Sequence, residues 1–113
     1  MILLNAFSAN MLAEFPASVK FAEISAHDAR TNLLLASEDA GDAELIRSAV
    51  GHADTAAVFS SVLKLPVPCN RETVTLRCGD WAVLGQYSGP RLPEGATSLP
   101  SGSAIKWLLV EVN

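Results

Sequence analysis

Glu72-Thr73-Val74-Thr75-Leu76-Arg77-Cys78-Gly79-Asp80-Trp81-Ala82-Val83-Leu84-Gly85-Gln86-Tyr87 is the stretch on which the fold turns. From Glu72 to Cys78 apolar and polar residues alternate. Val74, Leu76 and Cys78 fall on one face, and Thr73, Thr75 and Arg77 on the other. Successive side chains of a strand point to opposite faces, so the pattern predicts a half-buried strand. Gly79-Asp80 supplies a turn, and Trp81 to Tyr87 supplies the returning strand of a hairpin.

Toward the N-terminus, Ile2-Leu3-Leu4-Asn5-Ala6 reads as a short buried strand, apolar on both faces. It is too short, and lacks the basic leader, for a signal peptide. Ser8 or Asn10 starts one helical turn that Pro16 cuts off, and a half-buried strand follows from Ala17 to Ile24. Ser25-Ala26-His27-Asp28 has the capping-box pattern and opens a helix reaching Leu35 or Ala36. Ser37 to Asp42 is a polar loop, and Glu44 to Val50 is a short element of undecided type. A second helix runs from His52 to Lys64, with Val58, Phe59, Val62 and Leu63 as its buried stripe and Ser60, Ser61 and Lys64 outside. Past the hairpin, Gly89 to Gly102 is a long loop rich in Gly, Pro and Ser, and Ile105 to Val112 is the last strand. The sum is one α/β domain over residues 1–113, a mixed sheet of about five strands flanked by helices.

Composition narrows the function. The chain has 113 residues, half of them hydrophobic, which suits one small core and argues against disorder. No apolar run reaches the ~18 residues that a membrane helix needs. Cys69 and Cys78 are the sole cysteines, with two histidines, His27 and His52, in the whole chain. A zinc site or disulfide scaffold is therefore not expected, nor any metal or cofactor, and a reducing cytoplasm is the default location. Net charge is −4 but uneven: residues 1–44 hold seven acids against two bases, whereas 45–113 hold six bases against five acids. The acidic first part argues against binding long nucleic acid, which requires many neutralised phosphates. A small anionic ligand held by a few arginines remains compatible.

Phosphate-binding loops, Gly-x-Ser-x-Gly and His-Glu-x-x-His are all absent. The polar residues that remain stand at the edges of apolar elements, and each has two readings. Asn5, Ser8 and Asn10 are turn and cap residues or ligand contacts. His52, at the mouth of a helix whose first turn holds Asp54, presents its ring to an anion, or else His52 or Asp54 caps the helix. Arg71 and Arg91, in loops beside strands, hold phosphate or form salt bridges with Glu72 and Glu94.

The segments 4–12 (LNAFSANML), 48–56 (SAVGHADTA), Asn70-Arg71 and 91–95 (RLPEG) occur in this order and spacing. Together they resemble a family of small viral and prokaryotic proteins, the ring nucleases that act as anti-CRISPRs against type III systems. The resemblance spans nearly the whole chain. It implies a symmetric homodimer that binds cyclic tetra-adenylate, cuts the ring and so silences the ribonucleases that the messenger activates. Of the family's functional positions, the Gly-His histidine matches His52 as general acid. The arginine of the Arg-Leu segment matches Arg91, with Glu94 beside it as a further catalytic residue. Asn5, Ser8, Asn10 and Arg71 match ligand contacts. A glutamine matches Gln86, although the segment from Gln86 to Arg91 is one residue longer than the viral pattern.

These residue types suit the chemistry that the resemblance implies. Metal-free cleavage of an RNA ring uses a ribose 2′-hydroxyl as internal nucleophile and leaves a 2′,3′-cyclic phosphate and a 5′-hydroxyl. It needs in-line geometry, a cation near the nonbridging oxygens and a proton for the leaving oxygen. Imidazole titrates near neutrality and can give that proton. Arg71 or Arg91 can supply the cation. Two other functions fit the same sequence: a sponge that holds the ring without cutting it, and an interaction protein with no nucleotide ligand.

Overall fold

The computed structural model describes residues 1–39 and 46–113. Its frame is a sheet of four strands, β1 (Ile2–Leu4), β2 (Val19–Ile24), β3 (Trp81–Ser88) and β4 (Ala104–Val112), in the order β1-β3-β4-β2. β1 runs parallel to β3, while β3–β4 and β4–β2 are antiparallel. Helices α1 (Ala26–Asp39) and α2 (Ala53–Leu63) pack on one face. The mixed α/β architecture is the one expected, with one strand fewer.

Strand alternation divides the core into two layers. Leu3, Val83 and Trp107 face the helices and pack with Ala29 and Leu33 of α1 and Ala56, Phe59 and Leu63 of α2. Ile2, Leu4, Ala82, Leu84, Val110 and Val112 face the other way, packed against Val74 and Leu76, with Phe7, Met11 and Leu12 alongside. Gly85 is where β3 passes closest to the helix layer. A Cβ there would stand 2.6 Å from Trp107 Cζ3 and 2.8 Å from Phe59 Cζ. The space that a side chain would occupy is filled by two rings in a tilted contact, with centroids 5.0 Å apart.

The missing strand is Glu72–Cys78. Its alternation is realised at Val74 and Leu76, which are buried between exposed Thr73, Thr75 and Arg77, but Cys78 is exposed. It does not pair with β3, whose two edges are taken by β1 and β4. The segment instead lies over the second face and touches the 8–13 stretch through one bridge, in which Leu76 N–H donates to the Met11 carbonyl at 2.6 Å. Alternation dictates which side chains are buried, not which strand supplies the ladder. The Gly79-Asp80 turn is present, with Gly79 at φ 94°, and the Asp80 carboxylate accepts the Arg77 N–H at 2.8 Å. It carries the chain from that covering layer into the sheet rather than closing a hairpin. The antiparallel hairpin is β3–β4, joined by the long loop.

Three smaller differences bear on local structure. α1 continues to Asp39, so the polar loop expected from Ser37 begins later, and its remainder and the start of the 44–50 element lie outside the described residues. Residues 47–49 line the free edge of β1, where Leu3 N–H donates to Arg47 and Ala49 N–H donates to Leu3. Ser60 is half-buried rather than outside. Its hydroxyl donates to the Ala56 carbonyl at 2.8 Å and accepts the Val67 N–H at 2.9 Å, fixing the connector after α2.

Candidate functional site

β1 and β3 are parallel, and their C-terminal ends open toward the start of α2, the usual position for ligand sites on parallel strands. His52 occupies the N-cap position of α2 with an extended backbone, but its side chain does not cap the helix. Nor does Asp54. Its Oδ1 accepts the Gly95 N–H at 3.1 Å and ties the 91–95 loop to the first helical turn. Both capping alternatives for this histidine and aspartate therefore fall. The exposed His52 imidazole, at the positive end of the α2 dipole, has no hydrogen-bond partner among the described residues, while the His52 carbonyl accepts the Ala56 N–H at 3.0 Å.

Two clefts meet at His52. One, of about 530 Å³, is lined by Asn5, Gly51, His52, Arg71, Glu72 and Thr73. The other, of about 430 Å³, is lined by His52, Thr55, Tyr87, Gly89, Arg91 and Leu92. Asn70-Arg71, distant in sequence, is fastened to the strip preceding His52 by three hydrogen bonds. Asn70 N–H donates to Val50 and Asn70 Nδ2 to Ser48, each at 2.9 Å, and Arg71 Nε donates to Gly51 at 2.8 Å. A Cβ at Gly51 would lie 2.8 Å from Arg71 Cγ, so any side chain there would displace the arginine from its present position. The glycine of the Gly-His pair thus makes room for the arginine of the Asn-Arg pair.

The salt-bridge alternative for Arg71 also falls, since Glu72 pairs with Arg47 at 3.3 Å instead. Among the described residues neither Arg71 nor Arg91 is in an ion pair. The helix terminus and two uncompensated guanidinium groups make this end of the sheet suited to an anion.

Of the residues singled out in the sequence, His52, Asn5, Arg71 and Arg91 come together here. Ser8, Asn10, Gln86 and Glu94 line neither cleft. Ser8 caps the short helical turn Ala9–Met11 by accepting the Asn10 N–H at 3.2 Å. Gln86 is exposed on β3, opposite Lys106. Glu94 is exposed on the loop that Asp54 holds. Sequence reasoning passed over Thr55 and Tyr87. Tyr87 follows Val83 and Gly85 on the helix-facing side of β3, so alternation places it beside the start of α2, and its hydroxyl donates to the Pro90 carbonyl.

A family model described as STIV B116-like matches residues 1–102. Among solved structures the fold is similar to B116 of Sulfolobus turreted icosahedral virus, with a TM-score of 0.80 and 29% identity over 97% of each chain. No curated protein matches this sequence. With the family model spanning β1, both helices and β3, the chain belongs to the STIV B116-like family.

Proposed function

We propose that this protein is a metal-independent ring nuclease, a homodimer that binds cyclic tetra-adenylate and cuts it to linear di-adenylates ending in 2′,3′-cyclic phosphates. In a cell carrying a type III CRISPR system it would remove the messenger and end the response. The observation that carries this reading is the position of the His52 imidazole, without a hydrogen-bond partner among the described residues and shared by two clefts, each with an arginine outside any ion pair.

With a scissile phosphate at the start of α2, a ribose 2′-oxygen attacks the adjacent phosphorus, and its proton passes to solvent. The bond from phosphorus to the 5′-oxygen breaks, and protonated His52 gives its proton to that oxygen. The Arg91 guanidinium faces the nonbridging oxygens, whose charge grows in the transition state. Arg71, held against Gly51, is the better placed to position a neighbouring phosphate. Each protomer supplies one such histidine, and a two-fold dimer supplies two, matched to opposite phosphates of a four-nucleotide ring.

Incubation with labelled cyclic tetra-adenylate, with and without EDTA, tests this reading. Linear di-adenylate with a cyclic phosphate end, formed equally in both, is the expected product. Ring recovered bound but intact would instead identify a sponge, and absence of binding would overturn both.

A further inference from the structure

Arg91 is carried by a loop, yet a guanidinium that serves a transition state has to be placed to within about 0.5 Å. Loops hold side chains less precisely than helices or strands do, so the backbone around Arg91 has to be fixed from outside. It is held on both sides. Before it, the Tyr87 hydroxyl of β3 donates to the Pro90 carbonyl, and Gly89 lies so near Ser103 that a Cβ there would stand 2.6 Å from Ser103 Cβ. After it, Asp54 of α2 accepts the Gly95 N–H through Oδ1 at 3.1 Å, and the Ala96 N–H closes a turn onto the Pro93 carbonyl at 3.0 Å. Gly95 stands at φ 79° with nothing within 4 Å of where a Cβ would be. Backbone conformation, not space, calls for glycine where the chain turns its N–H to the carboxylate.

His52 and Thr55, which bracket Asp54 in the chain, line the same cleft as Arg91. A carboxylate there could neutralise the guanidinium by pairing with it. It takes a backbone N–H instead, and among the described residues neither Asp54 nor Arg91 is in an ion pair. The loop is thereby tied while the arginine keeps its full charge for an anion. We infer that Asp54 is a positioning residue for Arg91, acting on the reaction through the backbone at Gly95 and neither touching the ring nor moving a proton. What the position needs is an acceptor oxygen at that reach, not a negative charge, so asparagine should replace the aspartate. The catalytic consequence rests on the ring-cleaving reading of the site, whereas the tether is a property of the free protein and is measurable without nucleotide.

Two measurements test it. Backbone amide NMR relaxation of the free protein reads the tether. Order parameters at Arg91, Leu92, Glu94 and Gly95 should lie near the rigid value of ~0.85 in wild type and Asp54→Asn, and fall toward ~0.6 in Asp54→Ala. Single-turnover cleavage of cyclic tetra-adenylate at saturating ring reads the consequence. Asp54→Ala should slow it by roughly tenfold or more, and Asp54→Asn should cut within about twofold of wild type. Added to Arg91→Ala, Asp54→Ala should cost less than about twofold further, because both act on one guanidinium. Order parameters unchanged in Asp54→Ala would overturn the tether. A loss in Asp54→Asn as large as in Asp54→Ala, or losses fully additive with Arg91→Ala, would overturn the positioning role. A wild type that leaves the ring intact would overturn the ring-cleaving reading and the catalytic role together, while the order parameters still decide whether Asp54 holds the loop.

Discussion

Gly51→Ala separates the fold from the site more cleanly than removal of any charged group. The backbone at Gly51 is not in the left-handed region, so alanine meets no conformational barrier there. The new methyl instead meets Arg71 Cγ at 2.8 Å, close to the root of a long side chain. Arg71 must swing away, which breaks its 2.8 Å bond to the Gly51 carbonyl. An exposed hydrogen bond of this kind contributes about 0.5–1.5 kcal/mol, and loss of glycine's freedom in the unfolded chain returns about 0.4–1 kcal/mol. The two nearly cancel, so the melting temperature should move by no more than about 4 °C. Ligand binding has no such compensation. Losing one positioned guanidinium–phosphate contact should weaken cyclic tetra-adenylate by roughly tenfold or more, as a charge-assisted bond is worth about 1.5–3 kcal/mol. Calorimetry on Gly51→Ala, Arg71→Ala and the double variant checks the reasoning. Both singles act on one guanidinium, so the double variant should bind no worse than Arg71→Ala alone. Wild-type affinity in Gly51→Ala, or fully additive losses, would refute it.

His52→Ala should lower the single-turnover cleavage rate by about 10²- to 10⁴-fold while leaving ring affinity within a few-fold of wild type, because proton donation matters only in the transition state. Arg91→Ala should weaken ring binding, with the loss larger at low salt, where an exposed charge is least screened; titrations at two ionic strengths would expose an arginine that serves only the loop. Asp54→Ala frees the Gly95 amide, so hydrogen exchange there should accelerate by roughly tenfold, the equivalent of ~1.4 kcal/mol, and an unchanged rate would mean that the loop is held by something else. Gly85→Ala should cost at least about 2 kcal/mol, or roughly 8 °C in melting temperature, because neither ring next to it has room to move. A melt like that of wild type would show that Phe59 and Trp107 repack freely.

What the sequence made legible, and what it hid, follows from the range of each signal. β1, α2 and β4 are written locally, in apolar runs and in a helical stripe that cannot be buried any other way, and they appear where expected. The Glu72–Cys78 segment carries an equally clean local signal, yet it lies over the sheet rather than within it. Period-two alternation states that one face is buried and is silent about which neighbour supplies the hydrogen bonds. That choice is made by β4, more than fifteen residues beyond β3, which fills the edge that a hairpin partner would have used. The site divides the same way. Position at a helix start left His52 readable as a cap, and it was the Gly-His segment of the family resemblance that singled it out. The link between Gly51 and Arg71 spans twenty residues, and nothing in either segment alone announces it; only the folded chain shows that the absence of a side chain at one position creates the place for the other. Ser8, Asn10 and Gln86 mark the limit of reading one chain. Their own protomer gives them a turn to cap and an exposed strand surface. Those local roles are the ones that turn and strand signals predict, and none of the three side chains lines either cleft of this chain.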